Sequence, residues 1–218
     1  GNDFMRALYT ENVLEHPPHL FLRALLSPEA STVLLDVGCS NDKIFMNAIS
    51  IGYGASATDT TPRPIKDLLG KSAYTLWGVA SLTRMEAFRF ELRAGDTLIR
   101  EEAWQIVIGN GQYVGGGFRA CPEAALQDGL LDIVIVPKMG ALQTARAVQL
   151  LISRARHLEH EQLIALQVPS ATIEIQQELQ INADGEQLCE ERLELRVLQK
   201  RSRWLLPGNF LEDQSTES

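Results

Sequence analysis

Residues 88–101 read Phe-Arg-Phe-Glu-Leu-Arg-Ala-Gly-Asp-Thr-Leu-Ile-Arg-Glu, a segment in which apolar and charged side chains alternate. Phe88, Phe90 and Leu92 fall on one face of an extended chain, and the residues between them are charged. The Ala94-Gly95-Asp96 sequence that follows is typical of a tight turn. The segment therefore predicts a β-hairpin with one buried and one wet face, which is characteristic of an antiparallel sheet.

The same two-residue period returns after Pro169, where apolar residues of 173–181 and 193–197 flank a turn at Ala183-Asp184-Gly185. Short apolar strands are predicted at 32–37, 44–49, 104–108 and 130–136, and helical spacing predicts helices at 3–8, 19–26, 65–85 and 142–157. The helices do not alternate strictly with the strands. We therefore predict an α+β fold, mainly an antiparallel β-sandwich or curled antiparallel sheet with flanking helices.

The composition excludes several classes of protein. The 218 residues include 20 basic and 28 acidic side chains, for a net charge of −8. That charge argues against a nucleic-acid binder and against membrane attachment through a polybasic patch. No apolar run is long enough to predict a membrane-spanning helix. Cys39, Cys121 and Cys189 lack disulfide or metal spacing, so we expect three buried thiols in a reducing compartment.

Four polar segments are candidates for chemistry: residues 1–4, 35–38, 109–117 with 128–132, and 184–186. Each also has a purely structural explanation. Asp3 is suited to capping a helix, Asp36 to ending a strand, and Asp184-Gly185 to a two-residue hairpin turn. The glycine-rich stretch at 109–117 lacks the lysine and the spacing of a phosphate-binding loop.

Taken together and in order, these segments resemble the diacylglycerol kinase catalytic-domain family, which includes bacterial lipid kinases and the diacylglycerol, sphingosine and ceramide kinases. Residues 1–8 resemble the end of its Gly-Thr-x-Asn-Asp-Phe-Ala-Arg motif, 45–55 its Phe-x-Asn-x-x-Ser-Ile-Gly-Phe segment, 70–74 its Gly-x-x-Ala-Tyr helix, 110–118 with 122–132 its longest signature, and 184–186 its Asp-Gly-Glu. The resemblance covers nearly the whole chain. It implies the C-terminal domain of the lipid kinase and NAD kinase-like fold.

The resemblance implies ATP-dependent phosphoryl transfer to a lipid hydroxyl, such as that of diacylglycerol, with Mg²⁺. It places Asp184 and Glu186 in the catalytic cleft, where this turn supplies the base. It assigns Asn2, Asp3 and Asp36 to the side that binds ATP and its Mg²⁺.

A separate structural Mg²⁺ site is also implied. Its ligands match Asp128 and the backbone carbonyl groups of Ala125 and Leu130.

The chain departs from the family pattern because it contains no Gly-Gly-Asp-Gly-Thr phosphate loop and starts inside the Asn-Asp-Phe motif. We therefore expect residues 1–30 to be a remnant of a nucleotide-binding domain, 31–206 to be the sandwich that binds the lipid acceptor, and 207–218 to be a polar tail. Alone, the chain is expected to be inactive.

Two alternative functions stay open: a non-catalytic module that binds a lipid or a partner, and an NAD kinase-like enzyme. The expected partners are ATP and a lipid substrate, not nucleic acid. We also expect a cytoplasmic location with peripheral contact to the inner face of the membrane, and a possible homodimer.

Overall fold

The computed structural model describes residues 3–4, 8, 25–28, 30–52, 87–114, 118–140, 142–144, 146–147 and 160–206. These residues form β1 (Ser31–Ser40), β2 (Lys43–Phe45), β3 (Ala48–Gly52), β4 (Phe88–Ala94), β5 (Thr97–Gly109), β6 (Tyr113–Val114), β7 (Phe118–Arg119), β8 (Leu131–Pro137), β9 (Ile164–Val168), β10 (Ser170–Ile175), β11 (Ile181–Ala183), β12 (Glu186–Leu188) and β13 (Arg192–Leu206).

Eleven of these strands form one sheet in the order β12-β11-β3-β5-β4-β10-β13-β1-β2, with β8 paired to β5 and β9 paired to β8. The remaining strands, β6 and β7, pair with each other. Strand β5 creates the branch, since residues 97–103 pair with β4 while residues 103–109 pair with β8. Each of these pairings is antiparallel. The predicted antiparallel, curled and sandwich-like architecture is confirmed.

The flanking helices of the predicted fold are not shown. Residues 142–144 and 146–147 are helical and fall within the predicted helix at 142–157. The predicted helix at 65–85, most of that at 19–26, and the tail at 207–218 lie outside the described residues. The described chain is therefore mostly sheet, with only short helical pieces.

The hairpin predicted at 88–101 is confirmed. Phe88, Phe90 and Leu92 are buried, and Ala94 pairs with Thr97 across the turn. The strand predicted at 104–108 is confirmed, but it is not separate from the hairpin, because β5 runs without a break from Thr97 to Gly109. Its register against β8 shifts between Ala103 and Gln105, and a bulge of this kind changes which side chains face inward.

One further prediction about a strand was wrong. The strand predicted at 44–49 is interrupted at Met46 and Asn47, where the backbone amide groups donate to the carboxylate of Asp184 and not to a neighbouring strand. The predicted turn at 183–185 is confirmed, and it joins the short strands β11 and β12. The apolar segments on either side of that hairpin pair with each other as β10 and β13.

The sheet curls around one main core, in which apolar residues from β2 to β5 pack against β8 and β10 to β13. A second cluster contains Phe4, Leu8, Leu35 and Leu206, and the Phe4 ring lies 4.9 Å from that of Trp204. The described residues near the N-terminus thus pack directly on the β1–β13 pair. The domain boundary at residue 30 stays a prediction.

Burial of the cysteines differs from the expectation at one position. Cys39 and Cys121 are buried, but Cys189 is exposed, and all three are free thiols. Burial, reinforced by the negative charge of Asp132, raises the pKa of the Cys121 thiol. Cys121 is therefore a protonated, apolar packing residue.

Gly38 is required by close packing within the β1–β2 pair. It lies opposite the buried Phe45, and a Cβ atom at Gly38 would overlap the Phe45 ring. We expect Gly38→Ala to lower the free energy of unfolding by about 1–3 kcal/mol, because a buried ring cannot move aside without strain. Urea unfolding measures this. The double variant Gly38→Ala/Phe45→Leu should recover part of the loss, and an unchanged stability of Gly38→Ala would contradict this reading.

Candidate active site

The Asp184-Gly185 turn closes the β11–β12 hairpin. Ala183 pairs with Glu186, which leaves two residues in the loop, and their φ angles are +51° and +98°. Positive φ at both positions defines the type I′ turn, which favours Asp-Gly. The amide of Gly185 also donates to Oδ1 of Asn182 at 2.9 Å. Local sequence therefore produces a rigid turn that carries two carboxylates.

The carboxylate of Asp184 is engaged by the backbone of the β2–β3 connection. Its oxygens accept hydrogen bonds from the amide groups of Met46 at 2.5 Å, Asn47 at 3.1 Å and Ala48 at 2.9 Å. The amide of Asp184 donates to the Ala48 carbonyl group at 3.1 Å. Asp184 therefore fixes the position of the turn, and its lone pairs are occupied.

Glu186 differs from Asp184 in its surroundings. It is the first residue of β12 and is exposed. Within the part of the chain that the structure describes, its carboxylate forms no hydrogen bond or ion pair. Glu186 thus presents the available carboxylate of the Asp-Gly-Glu turn.

Asn47 and Asn110 connect this turn to the rest of the site. Nδ2 of Asn110 donates to the carbonyl groups of Met46 at 2.7 Å and Asp36 at 3.1 Å. Nδ2 of Asn47 donates to the Tyr113 carbonyl group at 2.6 Å, and the Asn47 carbonyl group accepts from the amide of Asn110. Three motif segments that are far apart in sequence therefore converge on one network.

These two asparagines are not among the predicted site residues, although both lie within the motifs that resemble the family. The sequence contains a signal for them, because Asn47 directly precedes the apolar strand β3 and Asn110 directly follows the apolar strand β5. At both places the chain must turn. Asn110 is only 1% exposed. The Oδ1 atoms of both side chains are buried without a hydrogen-bond partner in the described structure.

Asp36 is buried under backbone, with 1% of its surface exposed. Its Oδ2 accepts from the amide of Gly129 at 2.8 Å, and its Oδ1 accepts from the amide of Lys200 at 2.7 Å. Gly129 and Lys200 both have positive φ, at +75° and +54°. Asp36 therefore holds a tight turn and a bulge in β13 together. Its expected contact with ATP and Mg²⁺ stays a prediction.

The segment that contains Asp128 offers oxygen ligands. Asp128 is exposed, and its Oδ1 accepts from the Leu130 amide at 3.0 Å. Burial raises the pKa of Asp132 to about 6, and the charges of Asp128 and Glu123 add to this rise, although a hydrogen bond from Gln167 opposes it. The segment is thus electronegative, and a divalent cation would relieve that repulsion.

The fit to Mg²⁺ can be judged from the donors present. No group of three or more His, Cys, Asp or Glu side chains is arranged to hold a metal among the described residues. A cation here would need backbone oxygens beside the Asp128 carboxylate, and the carbonyl groups of Ala125 and Leu130 are of that type. Mg²⁺ prefers such hard oxygen ligands and retains water, so these residues fit it.

The remaining predicted residues lie near the N-terminus. Asp3 is half-buried in a short helical piece beside Phe4, and Asn2 lies outside the described residues. Asn110 donates to the carbonyl groups of Asp36 and Met46. It thereby connects Asp36, which accepts from Gly129, with the Asp184 turn, which accepts from Met46. The relation of Asp3 to that group stays a prediction.

Comparison with known proteins identifies the family. Residues 47–201 match the model of the YegS C-terminal NAD kinase beta sandwich-like domain. The chain belongs to the YegS-like family. This confirms the resemblance to lipid kinases of the diacylglycerol kinase type. No helix among the described residues of this YegS-like chain is long and apolar enough to cross a membrane.

Relatives named "Probable lipid kinase YegS-like" are similar over most of the chain. The relative from Pseudomonas aeruginosa (strain UCBPP-PA14) is 33% identical over 84% of this chain and 62% of its own length. That from Chromohalobacter salexigens is 34% identical over 85% of this chain and 58% of its own length. The YegS-like chain thus spans about three fifths of the length of these relatives.

A solved structure of a diacylglycerol kinase-like protein from Bacillus anthracis str. Sterne superposes with a TM-score of 0.70. The match covers 93% of this YegS-like chain and 64% of that structure, at 24% sequence identity. The likeness shows that the two proteins share the fold.

Proposed function

We propose that this YegS-like chain is the lipid-acceptor part of an ATP-dependent lipid kinase, which transfers a phosphoryl group from ATP to a hydroxyl of diacylglycerol or a related lipid. The relatives named as lipid kinases support the reaction class. The observation that carries the proposal is the Asp-Gly-Glu turn, in which Asp184 is engaged by three backbone amide groups and Glu186 is exposed.

In the proposed mechanism Glu186 is the general base. The acceptor hydroxyl must lose its proton as it attacks the terminal phosphate, and a positioned carboxylate accelerates such a step by about 10²–10⁴-fold. Asp184 acts as a positioning residue, because its hydrogen bonds fix the turn that presents Glu186. A hairpin anchored to the sheet is a rigid mount for such a group.

Metal binding is divided between two places. Asp3, with Asn2, is proposed to face the nucleotide, where bound Mg²⁺ would neutralise phosphate charge. Asp36 is proposed to support that side from beneath, because its carboxylate is buried and both of its oxygens accept backbone hydrogen bonds. Asp128 and the carbonyl groups of Ala125 and Leu130 are proposed to hold a structural Mg²⁺. Asp36 accepts a hydrogen bond from Gly129 in that segment and another from Asn110. A Mg²⁺ ion that fixes the segment would therefore also stabilise the hydrogen bonds around Asn110.

The alternatives make different predictions. A non-catalytic lipid-binding or partner-binding module needs no carboxylate on a fixed turn, so the geometry around Asp184 favours an enzyme. An NAD kinase-like enzyme shares the type of domain but would accept a soluble nucleotide hydroxyl instead of a lipid. Peripheral contact with the cytoplasmic face of the membrane and a homodimer remain part of the proposal.

A chimeric kinase tests the function. The N-terminal part of the Pseudomonas aeruginosa relative, joined to this chain, is expected to transfer labelled phosphate from ATP to diacylglycerol in mixed micelles and not to NAD. The 218-residue chain alone should show no transfer and no ATP binding by calorimetry. Labelling of NAD, or a folded chimera that labels no lipid, would contradict the proposal.

A further inference from the structure

A basic and apolar patch lies at the carboxyl-terminal end of β13. It consists of Leu34, Arg201, Arg203 and Leu205, with Lys200 in the adjacent bulge of β13. Leu34 pairs with Arg203, so these two side chains project from the same face of the β1–β13 pair. Leu205 follows Arg203 by two residues and therefore shares that face. Leu34 and Leu205 are 39% and 45% exposed, which leaves two apolar neighbours in contact with solvent.

The basic side chains of this patch have no carboxylate partner among the described residues. Lys200, Arg201 and Arg203 are exposed. None of them forms a salt bridge with any described residue. No acidic residue occurs in the sequence between Glu194 and Glu212. Asp36 contacts the backbone amide of Lys200 but is buried.

Basic residues elsewhere on the sheet behave differently. Several are paired with glutamates, as in Arg89–Glu102, Arg100–Glu91, Lys138–Glu102 and Arg192–Glu174. The net charge of −8 is an average over the chain, and this patch is a local exception to it. Such a local group of basic side chains can attract an anionic partner despite the negative net charge.

We propose that this patch docks the protein on an anionic lipid bilayer. Lysine and arginine attract anionic headgroups, and exposed leucines bury apolar surface at the boundary with the acyl chains. A soluble anion would bind the cations but would gain nothing from Leu34 and Leu205. The proposal rests on the membrane contact in the proposed function and assigns that contact to a surface. Vesicle binding requires no phosphoryl transfer and is measured on this chain alone.

Vesicle co-sedimentation of the 218-residue chain tests the proposal. We expect binding to phosphatidylcholine vesicles that contain phosphatidylglycerol, weakened by salt, and little binding to phosphatidylcholine alone. Arg203→Gln should weaken the partition about fivefold, and the triple change of Lys200, Arg201 and Arg203 to Gln about 100-fold. Leu205→Ser should also weaken it, which separates docking from charge attraction alone.

Arg196→Gln is the matched control. Arg196 is exposed on the same strand and forms no ion pair with the described residues, but it lies before the bulge and pairs with Cys39. Its removal changes the net charge by the same amount and should alter binding by less than about twofold. Circular dichroism verifies the fold of each variant, and Arg201→Gln replaces Arg203→Gln if the latter fails to fold.

Several results would overturn the proposal. These are equal losses in Arg196→Gln and Arg203→Gln, equal binding to neutral vesicles, no vesicle binding at all, or competition by inorganic phosphate that abolishes vesicle binding. Self-association lost in Arg203→Gln, without vesicle binding, would assign the patch to a second copy of the chain. Because the kinase assay uses micelles and a chimera, its outcome is independent of these results.

Discussion

Glu186→Gln is expected to lower lipid phosphorylation by the chimeric kinase about 10²–10⁴-fold while leaving the melting temperature unchanged. The reason is that Glu186 is exposed at the start of β12 and forms no hydrogen bond with the described residues, so its removal costs the fold nothing. Initial rates with labelled ATP and thermal unfolding of the same preparations measure the two quantities.

Asp184→Asn is the matched comparison on the same turn. Asparagine tolerates the positive φ of this position, so the turn can persist. Its amide nitrogen cannot accept from a backbone amide, and we expect a loss of about 1–3 kcal/mol in the free energy of unfolding. The rate should fall because the turn is less well positioned. If Asp184→Asn abolished turnover at unchanged stability while Glu186→Gln kept its rate, Asp184 would be the base and our assignment would be wrong.

The second large effect is expected for Asp36→Ala. Its removal leaves the amide groups of Gly129 and Lys200 without acceptors in a buried place, and each such loss costs about 1–3 kcal/mol. The free energy of unfolding should therefore fall by about 2–6 kcal/mol, measured by urea denaturation.

Two further variants sharpen the Asp36 test. Asp36→Asn retains one acceptor oxygen and should lose less. Glu101→Ala removes an exposed carboxylate from β5 and should change stability by less than about 0.5 kcal/mol. A loss below about 1 kcal/mol in Asp36→Ala would show that the carboxylate does not hold the turn and the bulge together.

Local sequence signals accounted for much of the sheet. The alternation of 88–92 and the turn after it predicted the β4–β5 hairpin, because side-chain period and turn chemistry depend on neighbouring residues. The same signals did not predict the break within 44–49 or the continuity of β5 from the hairpin into 104–108. There the strand breaks or continues according to a partner elsewhere in the chain, namely Asp184 for the first and β8 for the second.

The candidate site was predicted in part. The order of motifs indicated a lipid kinase-like protein, and the family match confirms it. The sequence did not distinguish the general base from the positioning residue, because Asp184 and Glu186 are both acidic and lie two residues apart. Asn47 and Asn110 were missed, since an asparagine at a strand end is common and its buried partners are not visible in the sequence.

The sequence alone determined the antiparallel strands, the Asp184-Gly185 turn and the family, since these depend on local patterns and on motif order. Only the tertiary structure decided which carboxylate is engaged and which basic side chains have no carboxylate partner among the described residues. The carboxylate of Asp184 accepts from backbone amides that lie 136 to 138 positions earlier in the sequence. The carboxylate of Asp36 accepts from the amide of Lys200, 164 positions later. Hydrogen bonds and charge pairing act over a few ångströms in space, so only folding determines which residues they join.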